Sequence, residues 1–263
     1  MSKVFYRDDN VMLIQGDCLE VMPKLKRKFD AIITDPPYGT TACKWDTIIP
    51  FDKMWECVNE RIKDTGAICL FGSEPFSSVL RVSNLKQYKY DWVWEKSRAT
   101  GHVHSKNKPM KKHEIISVFS NGVTVHATQS ERRMPYNPQE LKMLKTPKIR
   151  KKGRSSDVVM APRPSHRDTI QEYENYPTSI LKFNNDGNTL HPTQKPVALL
   201  EYLIKTYTNE GETVLDFTSG SGTTLIAALN TGRRAVGIEM DEKYCQITVE
   251  RIEAFYKSHE NKV

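Results

Sequence analysis

Four consecutive residues combine a carboxylate, a rigid carbonyl group and an aromatic ring: Asp35, Pro36, Pro37 and Tyr38. They follow residues 29–34, an apolar, β-branched run that predicts a strand, and the two prolines end this strand and stiffen the turn. Neither proline has an N–H group, so the turn offers hydrogen-bond acceptors without competing donors. The Asp35 carboxylate and the Pro36 carbonyl suit the exocyclic amine of a nucleobase, which becomes nucleophilic when two acceptors draw on its hydrogens. The Tyr38 ring would stack on that base. The alternative is an ordinary surface turn.

A second group of residues has the pattern of a strand, a glycine turn and the start of a helix over residues 213–229. Gly220 and Gly222 let the backbone pass close to a ligand. We expect Thr223 and Thr224 to cap the following helix, whose first N–H groups would face the same ligand. The pattern therefore predicts a binding site where the strand meets the helix.

An acidic residue, Glu239, ends a second strand predicted at residues 235–238, after the glycine turn. An acid about twenty residues beyond such a turn binds the ribose hydroxyls in dinucleotide folds. Leu225 stands where the dinucleotide fingerprint has its third glycine, which favours an adenosine ligand without a pyrophosphate. The alternative for Glu239 is a solvated acid at the end of a strand.

The elements that must position these motifs follow from apolar periodicity, which predicts alternating strands and helices. Further strands are predicted at residues 11–14 and 67–71, an antiparallel edge pair at 88–94 and 115–119, and helices at 19–25, 50–63, from 76, 197–207 and 242–255. This order is typical of an α/β fold with a doubly wound sheet, in which ligands bind at the carboxyl ends of the strands. Asp17, Asp35, Asp216 and Glu239 all fall at such ends on this interpretation.

Taken in chain order, residues 35–38, 191–196 and 216–224 together with Glu239 resemble the motifs of the amino-group DNA methyltransferases. More narrowly, they are similar to the β-group, in which the catalytic half precedes the target-recognition segment and the S-adenosylmethionine half comes last. The resemblance covers roughly residues 10–255. It implies a mostly parallel, seven-stranded methyltransferase sheet with an antiparallel edge hairpin and an inserted basic target-recognition region.

The resemblance also implies roles for individual residues. Asp17 would reach the adenine amine of the cofactor, Lys195 would bind its carboxylate, and Glu239 would bind its ribose. The implied catalytic residues are Asp35, Pro36, Pro37 and Tyr38, and the implied cofactor-binding residues are Asp17, Cys18, Asp35, Lys195, Asp216, Thr218, Gly220, Gly222, Thr223 and Glu239.

One position departs from the family pattern. The family commonly has Asp-Pro-Phe-x-Gly-x-Gly, whereas this chain has Phe217, Thr218 and Ser219 at the Pro-Phe-x positions. Thr218 cannot supply the usual aromatic wall of the cofactor site. We expect Phe217 to pack nearby instead, and cofactor affinity is the property that this change would alter.

The activity implied by the resemblance is transfer of a methyl group from S-adenosylmethionine to the N6 amine of a flipped adenine in duplex DNA. Adenine is favoured over the N4 amine of cytosine because Asp35, rather than a serine, opens the tetrapeptide, which is a family tendency. The alternatives are an N4-cytosine enzyme, a catalytically inert DNA-binding or regulatory module on the same fold, and an RNA or protein-glutamine methyltransferase. The oligomeric state stays open, and a homodimer is one possibility to test. A cognate restriction endonuclease is a further candidate partner.

A basic segment separates the two groups of motifs. Residues 129–170 contain eleven Lys or Arg and four Asp or Glu, an excess of seven that equals the formal charge of the whole chain, +7. Such a focused positive field favours binding of DNA phosphates, and the predicted contacts are Arg132, Arg133, Lys148, Arg150, Lys151, Lys152 and Arg154. Only six Leu, Ile, Val or Phe lie in the segment, too few for a core of its own, so we expect a loop region that becomes ordered on DNA. The alternative is a solvated basic loop.

These observations predict three parts of the chain: residues 1–125 as the catalytic half, 126–185 as the basic target-recognition insertion and 186–263 as the S-adenosylmethionine-binding half. Trp45, just beyond the catalytic turn, would line the target pocket or anchor the following helix in the core.

The cysteine and histidine pattern argues against a metal site. The five cysteines are odd in number and form no CxxC pair, which also argues against a disulfide scaffold: Cys18, Cys43, Cys57, Cys69 and Cys245. None follows a proline, so the Pro-Cys nucleophile of cytosine C5 methyltransferases is absent from the sequence. His102 and His104 lack a convergent cluster of ligands, which favours a loop on the DNA side over a metal pair.

Hydropathy predicts a cytoplasmic protein, and the family resemblance implies a bacterial or phage-infected cell. Mean hydropathy is −0.57, and no apolar run approaches the ~18 residues of a membrane span. Residues 1–8 are too polar for a signal peptide. We therefore expect no membrane partner.

Overall fold

The computed structural model describes residues 2–41, 46–124, 130–150, 169–185 and 194–260. Eleven strands are present in the described chain: β1 (Lys3–Arg7), β2 (Val11–Gln15), β3 (Phe29–Thr34), β4 (Ile62–Gly72), β5 (Tyr88–Thr100), β6 (Lys111–Phe119), β7 (Lys142–Arg150), β8 (Thr169–Glu174), β9 (Ile180–Phe183), β10 (Thr213–Asp216) and β11 (Arg234–Glu239). The helices of the described chain are α1 (Cys18–Val21), α2 (Phe51–Arg61), α3 (Phe76–Ser83), α4 (Val197–Tyr207), α5 (Thr223–Asn230) and α6 (Glu242–Glu260).

The chain divides into two compact units. The first comprises Met1–Asn137 and Ser179–Val263, and the second comprises Pro138–Thr178. The basic insertion predicted at residues 126–185 therefore contains the second unit together with short flanking stretches of the first. Trp45, Cys43, Lys151, Lys152, Arg154 and residues 191–193 lie outside the described residues.

Nine strands of the described chain form the sheet of the first unit, in the order β1-β2-β11-β10-β3-β4-β6-β5-β9. The five strands from β2 to β4 run parallel to one another. At the two ends of this group the pairing is antiparallel: β1 is antiparallel to β2, and β6 is antiparallel to both β4 and β5. The doubly wound, mostly parallel sheet with an antiparallel hairpin is confirmed. The seven strands that we expected lie in the middle, and β1 and β9 extend the sheet by one strand at each edge.

The central strands are buried on both faces, which explains their uninterrupted apolar sequences. All six residues of β3 and the last seven of β4 are buried. Along β4 the side chains alternate between two clusters: Cys69 belongs with Leu203 of α4, and Ile68 belongs with Val58 of α2. Helices thus cover both faces of the sheet, and the strand ends are left as the place where a ligand can reach the backbone.

Three local predictions need correction. The helix expected at residues 19–25 is only the four-residue α1, and a 3₁₀ turn takes over at Met22–Lys24 because Pro23 cannot donate a helical hydrogen bond. Residues 62 and 63, predicted to end a helix, begin β4. The antiparallel pair β5 and β6 is not at the edge, because the short strand β9 pairs in parallel with β5 from Val93 to Lys96.

The second unit contains a small antiparallel sheet. Strands β7 and β8 pair from Lys142 opposite Glu174 to Arg150 opposite Thr169, with a register shift between Met143 and Lys148. We expected a loop region that becomes ordered on DNA and did not predict these strands, because the segment lacks apolar residues for a core of its own. Backbone pairing of two strands does not need such a core. Several large apolar side chains of this sheet remain exposed, including Met143, Ile149 and Ile170.

No helix among the described residues is both long enough and apolar enough to cross a membrane.

Candidate active site

The two predicted motifs meet at the carboxyl ends of neighbouring strands. β3 and β10 are parallel partners, with Ala31 opposite Val214 and Ile32 opposite Leu215. The Thr34 hydroxyl donates to the Asp216 carboxylate at 2.6 Å, although 182 positions separate these residues along the chain. The Thr218 hydroxyl also donates to the backbone carbonyl of Asp35 at 3.1 Å. The tetrapeptide and the glycine turn are therefore neighbouring walls of one site.

A cavity of about 710 Å³ lies between these walls, within the size range of small-molecule sites. All four residues of the tetrapeptide line it, and so do most of the residues predicted to bind a cofactor: Asp17, Cys18, Lys195, Asp216, Thr218, Gly220, Thr223 and Glu239. Gly222 is the exception, because it lies behind the lining at the start of α5. Sequence reasoning did not select Met240, Asp241 and Tyr244, which also line the cavity.

Asp35 is held by two side chains in what we call the catalytic wall. The Tyr38 hydroxyl donates to one carboxylate oxygen and the Lys195 ammonium group donates to the other. Burial raises the pKa of Asp35 above its ordinary value and the nearby charge of Glu114 adds to this, while Lys195 and Tyr38 oppose it. The carboxylate is 23% exposed, on a wall of the cavity.

The Tyr38 ring is itself fixed. It stacks on Phe76 with 5.1 Å between ring centroids, and the Lys195 ammonium group lies 5.8 Å from the Tyr38 ring centroid. Burial, followed by the charge of Asp35, raises the pKa of Tyr38 well above its ordinary value. The phenol therefore stays protonated and serves Asp35 as a donor.

Lys195 lies between two carboxylates. Its ammonium group pairs with Asp35 and lies 3.3 Å from a carboxylate oxygen of Glu114. Burial would lower the pKa of Lys195, but these two anions outweigh burial and raise it, so the lysine stays charged. Glu114 pairs in turn with Lys96. Sequence reasoning missed Glu114 because it lies in the polar start of β6, a pattern typical of a solvated strand end.

Asp216 belongs to the opposite side of the cavity, which we call the cofactor wall and which also includes the glycine turn and Glu239. Asp216 accepts hydrogen bonds from the hydroxyls of Thr34 and Thr224, at 2.6 Å and 2.5 Å, and from the backbone N–H of Thr218 at 3.1 Å. Burial raises the pKa of Asp216 to about 6, although these hydrogen bonds oppose the shift. The residue thus links β3, the turn and α5.

The glycine turn is tightly packed. Gly222 has a left-handed φ of +75°, and a Cβ there would lie 2.4 Å from Cγ2 of Thr248 on α6. The Thr248 hydroxyl donates to the carbonyl of Gly220 at 3.2 Å, and Arg251 donates to the carbonyl of Ser221 at 2.6 Å. Helix α6 therefore fixes the turn from behind.

The predicted capping by threonines is wrong. Gly222 is the N-cap residue of α5 and has no side chain, while Thr223 and Thr224 lie inside the first turn of the helix. The Thr224 hydroxyl donates instead to Asp216, because the buried carboxylate is the stronger acceptor within its reach.

Glu239 is held by backbone amides. One carboxylate oxygen accepts from Gly220 N–H and the other from Asp241 N–H, both at 2.8 Å. Burial raises the pKa of Glu239, and these amides oppose the shift. Each oxygen has a second lone pair with which it could accept a further hydrogen bond, such as one from a ribose hydroxyl.

Asp17 lies at the end of the neighbouring strand β2. Its carboxylate caps α1 by accepting from Leu19 N–H at 2.8 Å, and Gly16 N–H donates to the carbonyl of Glu239 at 2.8 Å. Phe217, expected to pack near the site, is 1% exposed and lines the cavity.

The loop after the tetrapeptide is ordered by Asp46, which sequence reasoning did not select. Its carboxylate accepts from the N–H groups of Gly39, Thr40 and Thr41 at 2.6 to 2.9 Å. Burial would raise the pKa of Asp46, but these donors hold it below its ordinary value. The carboxylate therefore holds the backbone of residues 39–41, of which Thr40 and Thr41 line the cavity.

The described residues among those predicted to contact DNA are distributed over both units. Arg132 and Arg133 are exposed in the first unit, and Lys148 is exposed on β7 in the second unit. Arg150 ends β7, and the other three lie outside the described residues. His102 and His104 are exposed in a 3₁₀ turn. Among the described residues, no cluster of three His, Cys, Asp or Glu side chains is arranged to hold a metal ion.

Comparison with known proteins adds a family match and several relatives. A family model described as DNA methylase, of the N6/N4 type, matches residues 29–250. The chain is 29% identical over 273 residues to the DNA adenine methyltransferase YhdJ of Escherichia coli (strain K12), covering 92% of this chain and 82% of that protein. It is 26% identical over 264 residues to the type II methyltransferase M.HpaI of Haemophilus parainfluenzae, covering 95% of this chain and 76% of that protein.

Solved structures show the same fold. A crystal structure of an M1.HpyAVI-SAM complex matches with a TM-score of 0.60 and 22% identity, covering 92% of this chain and 99% of that one. The PvuII DNA methyltransferase, described as cytosine-N4-specific, matches with a TM-score of 0.64 and 14% identity, covering 94% of this chain and 88% of that one.

Proposed function

The chain belongs to the N6/N4 DNA methylase family, and from this premise we propose that it methylates the N6 amine of a flipped adenine in duplex DNA. It is a DNA methyltransferase of the β-group that uses S-adenosylmethionine. Two observations support adenine as the target base: Asp35 opens the tetrapeptide, and a relative that aligns with 92% of the chain is named as an adenine methyltransferase.

The observation that carries the proposal is the shared cavity. A group-transfer enzyme must place donor and acceptor within a few ångströms of each other, and here the acceptor-rich tetrapeptide and the glycine turn line one space. The Thr34–Asp216 hydrogen bond holds the two walls together directly.

The residues of the cofactor wall fit S-adenosylmethionine. Glu239 has carboxylate lone pairs for a ribose diol, and Asp17 lines the same cavity, where it would accept from the adenine amine. The left-handed backbone at Gly220 and Gly222 keeps side chains out of the turn. When bound, the cofactor supplies an electrophilic methyl group on a sulfonium.

The catalytic wall would prepare the amine. Asp35 and the Pro36 carbonyl would accept the two N6 hydrogens and direct the nitrogen lone pair toward the cofactor wall. As the nitrogen–carbon bond forms and the carbon–sulfur bond breaks, N6 gives up one proton, and Asp35 is the base beside it. Lys195 would keep Asp35 ionised before transfer, and the Tyr38 ring would pack against the target base.

The basic segment would bind the duplex. We assign backbone-phosphate contacts to Arg132, Arg133, Lys148, Arg150, Lys151, Lys152 and Arg154, because they belong to a segment in which eleven Lys or Arg outnumber four Asp or Glu. Such contacts would help offset the few kcal/mol that extrusion of a base costs.

Nucleoside analysis tests the proposal. Duplex DNA is incubated with the protein and S-adenosylmethionine labelled in its methyl group, then digested to nucleosides and separated. We expect label in N6-methyladenine. Label in N4-methylcytosine would overturn the choice of base, and no label in either nucleoside would favour an inert DNA-binding module.

A further inference from the structure

Four charged side chains form a row that leads from the hairpin β5–β6 to the cavity. Lys96 pairs with Glu114, Glu114 lies 3.3 Å from Lys195, and Lys195 pairs with Asp35. The side chains of Lys96, Glu114 and Lys195 are 13%, 12% and 6% exposed. Charges alternate along the row and cancel in total.

Glu114 does not line the cavity, yet it is held firmly in place. It lies opposite Trp94 in the β5–β6 ladder, and the ammonium group of its partner Lys96 lies 5.2 Å from the Trp94 ring centroid. A buried ion pair often stabilises a fold no more than apolar side chains of the same size would, so folding alone is a weak reason for these charges. The only part of the described cavity wall that its ion pairs reach is Lys195.

Lys195 is constrained from both sides. Its ammonium group lies 5.2 Å from the Phe71 ring centroid and 5.8 Å from that of Tyr38, while Asp35 and Glu114 draw it in different directions. Without the charge of Glu114, the lysine would pair more strongly with the carboxylate oxygens of Asp35. A carboxylate paired in that way is a weaker acceptor for another donor.

We propose that Glu114, anchored by Lys96, is a positioning residue for methyl transfer: by sharing the charge of Lys195, it orients Asp35 and keeps it a strong acceptor. This inference rests on the proposed function of Asp35. Lys195 keeps the carboxylate ionised, and Glu114 limits how far Lys195 neutralises it.

Glu114 and Lys195, the two central residues of the row, act on the pKa of Asp35 in opposite directions. Asp35 faces Lys195, Tyr38, Glu114 and Asp216, and Glu114 faces Lys195 and Lys96 with Lys111 nearby. The charge of Lys195 lowers the pKa of Asp35, whereas that of Glu114 raises it. Burial would raise the pKa of Glu114, but Lys195 and Lys96 hold it below its ordinary value, so Glu114 is charged at neutral pH.

The test compares Glu114→Gln with Lys195→Met in two measurements. The first is the pH profile of kcat with saturating cofactor and duplex DNA, and the second is the titration of Asp35 followed by carboxyl-carbon NMR. We expect Glu114→Gln to move the acid limb of kcat and the Asp35 midpoint to lower pH, and Lys195→Met to move both to higher pH. Plateau kcat of Glu114→Gln should fall about tenfold because Asp35 is less well oriented.

Glu95→Gln is the matched control. Glu95 lies on β5 next to this row and also pairs with two lysines, Lys112 at 2.9 Å and Lys182 at 3.6 Å, but neither reaches Asp35. This variant should leave the pH profile and the Asp35 midpoint unchanged. Glu114→Asp should recover part of the plateau rate. If Glu114→Gln does not fold, the double variant Lys96→Met/Glu114→Gln serves instead, because it removes the ion pair as a unit. Glu114 is the member of that pair that acts on Asp35, so the acid limb should again move to lower pH.

The outcomes separate the two proposals. An unmoved acid limb and Asp35 midpoint in Glu114→Gln, or movement to higher pH as in Lys195→Met, would overturn the role of Glu114. A wild-type protein that transfers no methyl group to DNA would instead refute the proposed function, whatever the NMR titration shows.

Discussion

The two walls of the cavity hold buried carboxylates in different ways. On the catalytic wall, Asp35 is bound by a lysine and a phenol, and the lysine is shared with Glu114. On the cofactor wall, Asp216 is bound by hydroxyls and a backbone amide, and Glu239 by two backbone amides. Among the described residues, no lysine or arginine forms an ion pair with either acid of the cofactor wall.

This difference matches the work that each wall would do. Neutral donors fixed in the backbone hold a carboxylate in position and leave its second lone pairs for ribose hydroxyls. A charged partner also controls whether the carboxylate is ionised, which matters where a proton is given up during the reaction. We therefore propose that the cofactor wall serves binding and that the catalytic wall controls the charge of Asp35.

Replacement of Asp35 should have the largest effect and should separate the two walls. We expect Asp35→Ala to lower the rate of methyl transfer by at least about 10³-fold, because it removes an acceptor aimed at the reacting amine. Cofactor affinity, measured by calorimetry, should be unchanged. Asp64→Ala is the control, since Asp64 is 93% exposed and pairs only with Lys28. Comparable loss of cofactor affinity and rate in Asp35→Ala would mean that the walls do not act separately.

Rigidity of the cofactor wall can be measured with two glycine variants. Gly222→Ala combines a left-handed φ of +75° with a Cβ contact of 2.4 Å to Thr248, so we expect a loss of about 2–4 kcal/mol in unfolding free energy. Gly211→Ala has a similar φ of +77° but open space around the new Cβ, and should lose only about 1 kcal/mol. Equal losses in denaturant titrations would show that the packing of the turn on α6 contributes little.

Burial of the Asp216 carboxylate should make the stability of the protein depend on pH. The pKa of Asp216 is about 6 in the folded chain and 3.8 ordinarily, so the protonated group stabilises the fold. That contribution is complete below pH 3.8 and is lost as the pH rises through about 6. Relative to Asp216→Asn, the wild type should lose about 2 kcal/mol of unfolding free energy between pH 4 and pH 7. A constant difference across this range would contradict the burial of an unpaired carboxylate here.

Replacement of Glu239 should have the smallest effect, confined to binding. We expect Glu239→Ala to weaken cofactor affinity about 10- to 100-fold, as for the loss of a hydrogen bond to a charged group, with kcat retained at saturating cofactor. Glu239→Gln keeps one acceptor oxygen, so its cofactor affinity should lie between those of the wild type and Glu239→Ala. Glu242→Ala is the control, because Glu242 is 68% exposed and pairs with Lys3 at the surface. Unaltered affinity in Glu239→Ala would remove this residue from the cofactor site.

Much of the sheet and the cofactor wall could be predicted because local sequence determines them. Strands β3 and β10 are short apolar runs buried on both faces, and Asp35 and Glu239 come directly at the ends of strands. Strands β1 and β9 were missed because these edge strands have few buried residues. The position of β9 also depends on pairing with β5, far earlier in the chain, which no local pattern reveals.

The row of charged side chains from Lys96 to Asp35 could not be predicted from the sequence, because it also depends on the pairing of strands. Lys96 and Glu114 lie in polar stretches at the far ends of β5 and β6, and only the β5–β6 pairing brings them together beside Lys195. Lys195 was expected to bind the cofactor carboxylate, and its contacts with Asp35 and Glu114 were not foreseen. A residue type shows which charge is present, but the fold decides which partner it meets.

A crystal structure of the protein with bound S-adenosylmethionine tests the central claim most directly, since the claim is that both walls serve one reaction. The account predicts ribose hydroxyls bonded to Glu239, the adenine amine near Asp17, and the methyl group directed at the space beside Asp35, where a target amine would lie ~3–3.5 Å away. A cofactor bound with its methyl group facing away from Asp35, or bound outside this cavity, would contradict the account.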